Sequence, residues 1–277
     1  YQRRVRGMFI VSLSQTPILL MHGIQMGGGS MNDMMKWIQD EIPGVYTYSC
    51  PVAEGDDSIF MNINDQIDEL AICIQNNKQL ANGFIALGFS QGGYMLRAYI
   101  HRFNNPKVKK FITMSSPLAG YYCGIQNPCY SIYFPNWLNT LAAEIIYSEF
   151  FQQLVGPCGY WRDPHNIGMF RQNSISLADL ETDNPQYKQN FESLEKVVMF
   201  GSPVDEVIWP WQSAWFGFYD DGTSQMLDMT QRKEFEQSGM AKLYREGRVE
   251  RIDSNHGHQG YFDEKWFKQN VIQHLKE

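Results

Sequence analysis

Phe84-Ile85-Ala86-Leu87-Gly88-Phe89-Ser90-Gln91-Gly92-Gly93 is the stretch on which the reading of the whole chain turns. Residues 84–87 are a short apolar run of the kind that forms a buried strand, and the run from Gln91 to Arg102 is compatible with a helix. Between them, glycines flank Ser90 on a turn too tight for neighbouring side chains. A bare Gly-x-Ser-x-Gly arises by chance in about one chain of this length in ten, so the flanking strand and helix carry the argument. An ordinary glycine-rich turn is the bland alternative. In its strand-to-helix setting the segment predicts that Ser90 is a nucleophile, with the helix N-terminus favouring negative charge that develops beside it.

Working outward, residues 18–21 read as a buried strand ending at His22-Gly23 and a glycine-rich loop. Met31, Met34, Met35 and Ile38 then recur at helical spacing, and residues 45–48 form the next strand. Ile59, Phe60, Ile63, Ile67, Leu70 and Ile74 mark one apolar helix face, for which Ser58 is the expected N-cap. Strands follow at 109–114 and 196–200, a strand-like run at 249–252, and a last helix at about 262–275. From 118 to 182 the rhythm changes to aromatics, prolines and glycines around a predicted helix at 137–154. The expectation is one α/β domain over 17–277, a mostly parallel sheet flanked by helices, with an inserted helical lid at about 118–182.

Composition excludes some partners. The chain has 277 residues, 43% of them hydrophobic, ample for a substantial core, and its net charge of −7 with no basic block argues against nucleic acid. No apolar run approaches the roughly 20 residues a membrane-spanning helix requires. Residues 1–16 are expected to be an N-terminal extension, the remnant of a signal peptide or of expression, and stand apart from the fold. Of five cysteines, Cys123 and Cys129 flank a Gly-Ile-Gln-Asn-Pro turn and are the candidate disulfide, whereas Cys73 sits in a helical pattern and is expected to pack as a small hydrophobe. Nothing in the sequence speaks to oligomeric state, and there is no Asn-x-Ser/Thr sequon.

A serine hydroxyl is a weak nucleophile at neutral pH, so Ser90 needs a histidine base and a carboxylate to orient it. In α/β-hydrolases these follow in the order Ser, Asp or Glu, His, on loops after later strands. Asp205 follows the strand at 196–200 after a Gly-Ser-Pro loop and is the expected acid, with Glu206 the nearest competing carboxylate. His22, His101 and His165 precede the acid and His274 lies in the terminal helix, which leaves His256 and His258. The expectation is His258, nearer the final helix, with His256 as the alternative. The oxyanion of the tetrahedral intermediate is expected to meet the backbone amides of Gln91, directly after the nucleophile, and of Ile24, in the His-Gly loop after the first strand. Gly27-Gly28-Gly29 is not followed by Lys-Ser/Thr, so a phosphate loop is not expected, and no Cys or carboxylate cluster completes a metal site around His256 and His258. No cofactor is expected.

With these residues in place, the chain resembles the palmitoyl-protein thioesterases over nearly all of residues 17–276. The resemblance is carried by Leu19-Leu20-Met21-His22-Gly23, by Gly88-Phe89-Ser90-Gln91-Gly92-Gly93 with Leu96-Arg97-Ala98, by Tyr160-Trp161-Arg162-Asp163-Pro164-His165, and by the stretch from Pro210-Trp211-Gln212-Ser213 to Asp220. The last, with Ser115-Ser116-Pro117, is more similar to the second, lysosomal subtype. The resemblance implies a serine hydrolase acting on fatty-acyl thioesters, palmitoyl-CoA or S-acylated protein, in the lysosome or the secretory-pathway lumen. It places the family's nucleophile on Ser90, its acid on Asp205, its oxyanion amides on Ile24 and Gln91, and its histidine on His258 or His256. A broader lipase or carboxylesterase acting on oxygen esters shares the same chemistry, and a non-catalytic lipid-binding protein is the third reading.

Overall fold

In the computed structural model, which describes residues 15–124 and 134–276, Ile18, Leu19, Leu20 and Met21 are all fully buried. They divide between two cores: Leu19 and Met21 pack on one side of the sheet, Ile18 and Leu20 on the other. Phe84 and Ala86 against Ile85, Leu87 and Phe89 divide the same way. Successive side chains of a strand point to opposite faces, so a strand that is apolar at every position must be covered on both.

The strands are β1 (Ile18–Met21), β2 (Thr47–Ser49), β3 (Phe84–Phe89), β4 (Val108–Met114), β5 (Lys196–Gly201), the short antiparallel hairpin β6 (Phe218–Tyr219) and β7 (Met226–Leu227), and β8 (Val249–Asp253). The main sheet runs β2-β1-β3-β4-β5-β8 with every pair parallel. One face is covered by helix α1 (Asn32–Glu41), through Met34 and Ile38, and by the C-terminal helices Glu264–Asn270 and Ile272–Leu275. After the single turn α2 (Asp57–Phe60), helices α3 (Ile63–Asn76) and α4 (Gln91–Arg102) cover the other. Parallel strands with helical crossovers put all their C-terminal ends on one edge, where an open α/β sheet binds ligands.

Several elements differ from the sequence expectation, each for a local reason. The helix read from Ser58 onward breaks at Met61, which is extended (φ −115°, ψ 139°), and the true N-cap is Asn62, whose side chain accepts the Asn64 amide at 2.8 Å. Ser58 does not cap because its hydroxyl is engaged elsewhere, and Phe60, counted in the apolar face, is 57% exposed. The second strand begins at Thr47, where pairing with Ile18 starts. The helix expected at 137–154 is a 3-10 turn (Asn136–Thr140) and two short helices (Ala143–Ile146 and Glu149–Leu154), interrupted where Ala142 and Ser148 are extended. Ser148 caps the second, accepting the Phe151 amide at 3.3 Å. The segment between β4 and β5 stays helical past residue 182, and in its helix Pro185–Glu192 the Asn190 amide reaches the His101 carbonyl of α4 at 2.9 Å.

Cys73 is a correction. It is half-buried and bonded to Cys50, closing a link between the end of β2 and α3 that no sequence spacing suggests. Cys158 is buried with a free thiol, which burial pushes up to about 12. Cys129 lies outside the described residues, as do residues 1–14, so the expected Cys123–Cys129 pair and all of the expected N-terminal extension except residues 15 and 16 fall there.

Arg162, from the Tyr160–His165 motif, ties the segment between β4 and β5 to the chain after β5. Its buried guanidinium bonds Glu181, Asp221 (3.2 Å) and Glu234 (3.5 Å), while Arg232 joins Glu181 (2.8 Å) and Glu234 (3.3 Å) from the other side. Burial alone would raise the Glu181 carboxyl, but the Arg162, Arg232 and Arg97 guanidiniums outweigh it and hold it below the ordinary carboxylate range. Buried charges of this kind are tolerated only because each is paired.

Candidate active site

Ser90 sits at the end of β3 with φ 52° and ψ −128°, a strained backbone that lifts the side chain off the sheet edge. Its amide bonds the Met114 carbonyl at 2.9 Å and its carbonyl takes the Gly93 amide at 3.0 Å. The glycines around it are required by crowding. A Cβ on Gly88 would lie 2.4 Å from the Gly93 Cα, one on Gly92 2.4 Å from the carbonyls of Met21 and His22, and one on Gly93 within 2.7 Å of the Ser116 Cβ. The elbow thus presses β1, β4 and α4 together at a point where no side chain fits.

The loop after β1 comes to the same place. A Cβ on Gly23 would meet the Ser90 Cβ at 3.0 Å, so the chain carrying Ile24 lies directly against the serine. Ile24, Gln25, Met26, Phe89, Ser90, His258 and Gln259 line one cleft of about 450 Å³. Gln91 opens α4, where backbone N–H groups have no partner inside the helix. His22 itself is buried with its Nδ1 on the Gly23 carbonyl (2.9 Å), and burial lowers its pKa, which suits a structural residue.

The loops after β5 and β8 complete the set. Asp205 Oδ2 bonds His258 Nδ1 at 3.0 Å, and both side chains are almost wholly buried. The other carboxylate oxygen accepts the amides of Val207 (2.7 Å) and Ile208 (3.0 Å). Burial would raise the Asp205 carboxyl, yet the His258 ring, the Ser115 hydroxyl and the Ile208 amide outweigh it and hold it below its ordinary range. An ionised Asp205 can only accept, so it selects the Nδ1–H tautomer of His258 and leaves Nε2 with its lone pair.

Two ambiguities of the sequence are separated in space. Glu206 takes the backbone N–H of His258 at 3.0 Å, leaving the ring to Asp205. His256 is packed edge-on between Tyr261 and Trp266, at 4.4 Å from each ring centroid, with Nδ1 on the Gly257 carbonyl. His256 does not line the Ser90 cleft. Among the described residues no group of three or more His, Cys, Asp or Glu side chains is placed to hold a metal ion, and no helix is long and apolar enough to cross a membrane. A larger cavity, about 820 Å³, is lined by Tyr122, Asp163, His165 and Tyr219 and contains none of Ser90, Asp205 and His258, so chemistry rather than volume marks the site.

Residues that sequence reasoning missed support this arrangement from behind. Ser115, in the left-handed region at φ 44°, shares a 2.9 Å hydrogen bond with Tyr261, which in turn bonds Ser254 at 3.0 Å. Ser115 directly follows β4 on the sheet edge that carries the site, and that position was the available signal.

A parallel sheet with a strained serine after β3 and a carboxylate–imidazole pair on the loops after β5 and β8 defines an α/β-hydrolase. A solved lipase from Bacillus licheniformis is similar in fold, with a TM-score of 0.51 at 15% identity over 96% of this chain and 94% of its own. Within that class the chain belongs to the palmitoyl protein thioesterase family, whose model matches residues 17–258. Among relatives it is 35% identical to palmitoyl-protein thioesterase 3 of Dictyostelium discoideum over 225 residues, covering 79% of this chain and 76% of that one. It is 31% identical to palmitoyl-protein thioesterase 1 of Caenorhabditis elegans, covering 88% and 86%, and 34% identical to the lysosomal thioesterase PPT2 homolog of Drosophila melanogaster, covering 76% and 74%.

Proposed function

We propose that this hydrolase cleaves fatty-acyl thioesters through an acyl-enzyme on Ser90, with His258 as base, Asp205 as its orienting acid, and the Ile24 and Gln91 amides as oxyanion donors. The observation that carries the reading is the Asp205–His258 bond, which presents the Nε2 lone pair of a ring lining the same cleft as Ser90. In the forward step the Ser90 Oγ attacks the thioester carbonyl while its proton passes to His258 Nε2. The tetrahedral oxyanion collapses, the C–S bond breaks, and His258 returns the proton to the departing sulfur. Water then repeats the sequence on the acyl-serine, its proton going to His258 and on to the Ser90 oxygen as the fatty acid leaves. No cofactor takes part.

The finer reading is that palmitoyl-CoA or an S-palmitoylated protein is the substrate and the lysosomal lumen the setting, which the relatives named lysosomal thioesterases support. The apolar face of the insertion over 118–182, acting as a lid, together with Met26, Ile24 and Phe89 in the cleft, would receive the acyl chain. Trp137 (41% exposed) and Phe150 (66%) stand at the surface rather than across the cleft, consistent with room for a long chain. Each buried methylene is worth about 0.8 kcal/mol, so kcat/KM should rise up to about fourfold per carbon until the groove is full. The test is kcat/KM on acyl-CoA esters of four to eighteen carbons, below the micelle threshold, beside matched acyl-glycerols. Long-chain thioesters should be preferred. Preference for the oxygen esters would make the protein a broader esterase, and a flat chain-length profile would remove the acyl-binding lid.

A further inference from the structure

Between the Ile24 loop and the N-terminus of α4 runs a buried chain of hydrogen bonds that the mechanism above does not use. Ser58, 1% exposed in α2, accepts the Gln25 amide at 2.6 Å and donates its one hydroxyl proton to the Gly55 carbonyl at 2.6 Å. Gln25 follows Ile24 directly and is held at φ 55°, in the left-handed region. The Ser58 carbonyl in turn accepts from the side-chain amides of Gln91 (3.1 Å) and Gln66 (3.2 Å). The second Gln91 proton goes to Gln66 Oε1 at 3.0 Å, and the second Gln66 proton to the Met61 carbonyl at 2.8 Å. Gln91 Oε1 accepts the Tyr160 hydroxyl at 2.8 Å, and burial raises the Tyr160 pKa far enough that it stays a donor.

Every donor and acceptor in this chain is matched, and turning either glutamine amide over would set acceptor against acceptor. Space is reserved for it: a Cβ on Gly156 would lie 2.6 Å from Gln66 Nε2 and 3.0 Å from the Ser58 carbonyl. Ser58 therefore holds the residue after one expected oxyanion donor through its hydroxyl, and the residue that is the other donor through its carbonyl. Oxyanion stabilisation depends on donors fixed before charge develops, so a link that sets the separation of the two amides acts on the transition state more than on substrate binding.

We propose that Ser58, with Gln66 and Tyr160 bracing Gln91, is the positioning residue that sets the two halves of the oxyanion hole relative to each other. The inference rests on the reading of Ser90 as nucleophile with Ile24 and Gln91 as donors. It is tested with Ser58→Ala and with Tyr160→Phe, which removes only the hydroxyl that fixes Gln91 Oε1. Loss of a whole oxyanion donor costs about 10²–10³ in kcat, so a loosened one should cost about 10- to 100-fold in Ser58→Ala and about 3- to 10-fold in Tyr160→Phe. KM for an acyl-CoA should stay within about threefold, and affinity for an acyl trifluoromethyl ketone, whose adduct with Ser90 carries the oxyanion, should fall in step with kcat/KM. Should Ser58→Ala not fold, Tyr160→Phe decides alone. Wild-type kcat in a folded variant, or a fall in kcat with unchanged ketone affinity, would overturn the proposal. A Ser90→Ala control separates the two levels: wild-type turnover there defeats the active-site reading itself, whereas a dead Ser90→Ala beside fully active Ser58 and Tyr160 variants defeats only the positioning role.

Discussion

Replacing Asp205 with asparagine keeps the volume and removes the charge from a carboxylate whose Oδ2 lies 3.0 Å from His258 Nδ1. When His258 takes the Ser90 proton it becomes cationic, and at that separation in a medium of effective dielectric constant about 20 the ion pair is worth about 5.5 kcal/mol. At about 1.36 kcal/mol per factor of ten, that is about four powers of ten in rate if all of it is lost. An asparagine oxygen facing Nδ1 retains part of the hydrogen bond, so kcat for Asp205→Asn should fall about 10³- to 10⁴-fold. The pair is almost wholly buried, so raising the salt concentration should not erase the difference. Glu206→Gln is the internal control, because a glutamine oxygen can still accept the His258 backbone N–H that Glu206 holds at 3.0 Å, and its kcat should stay within about threefold. Steady-state hydrolysis of an acyl-CoA by both variants, with circular dichroism to establish folding, reads the result. An Asp205→Asn enzyme within tenfold of wild type, or a Glu206→Gln enzyme that is the worse of the two, would refute the assignment.

Ser90→Ala should lose labelling by a fluorophosphonate probe and retain only about 10³–10⁴ over the uncatalysed rate, the part that binding and oxyanion stabilisation supply. His258→Ala should approach the same floor, while His256→Ala, which empties a site between Tyr261 and Trp266, should lower the melting temperature far more than kcat; the opposite ranking would move the base. Glu181→Gln should destabilise the fold by about 3–5 kcal/mol at pH 7, since it leaves Arg162 and Arg232 buried and short of a partner. The Glu181 carboxyl is depressed in the folded state, so its contribution is full above the unfolded-state pKa and is lost as pH falls through the folded one. The gap between wild type and Glu181→Gln in urea denaturation should therefore narrow as pH drops below the ordinary carboxylate range; a gap that widens on acidification would contradict the ion-pair account.

The sequence by itself determined the fold class, and it marked the serine elbow and the edge of the sheet on which the proposed chemistry sits. A strand buried on both faces is apolar at every position, and an elbow this crowded admits only glycine, so 84–93 carries its own structure in its letters. The proposed order Ser90, Asp205, His258 could be read from the chain because an α/β sheet puts its loops on one edge in chain order. Which partner each of two neighbouring residues reaches was decided by the tertiary structure alone. His256 and His258 are both histidines in one loop, and only the packing of Tyr261 and Trp266 around one and the reach of Asp205 to the other tells them apart. Asp205 and Glu206 are distinguished the same way, across 53 and 52 residues of chain. Cys73 read as a hydrophobe and Ser58 as a helix cap because periodicity reports which side of a helix is buried. It cannot report what stands opposite: Cys50 for the one, and for the other the Gln25 amide 33 residues away.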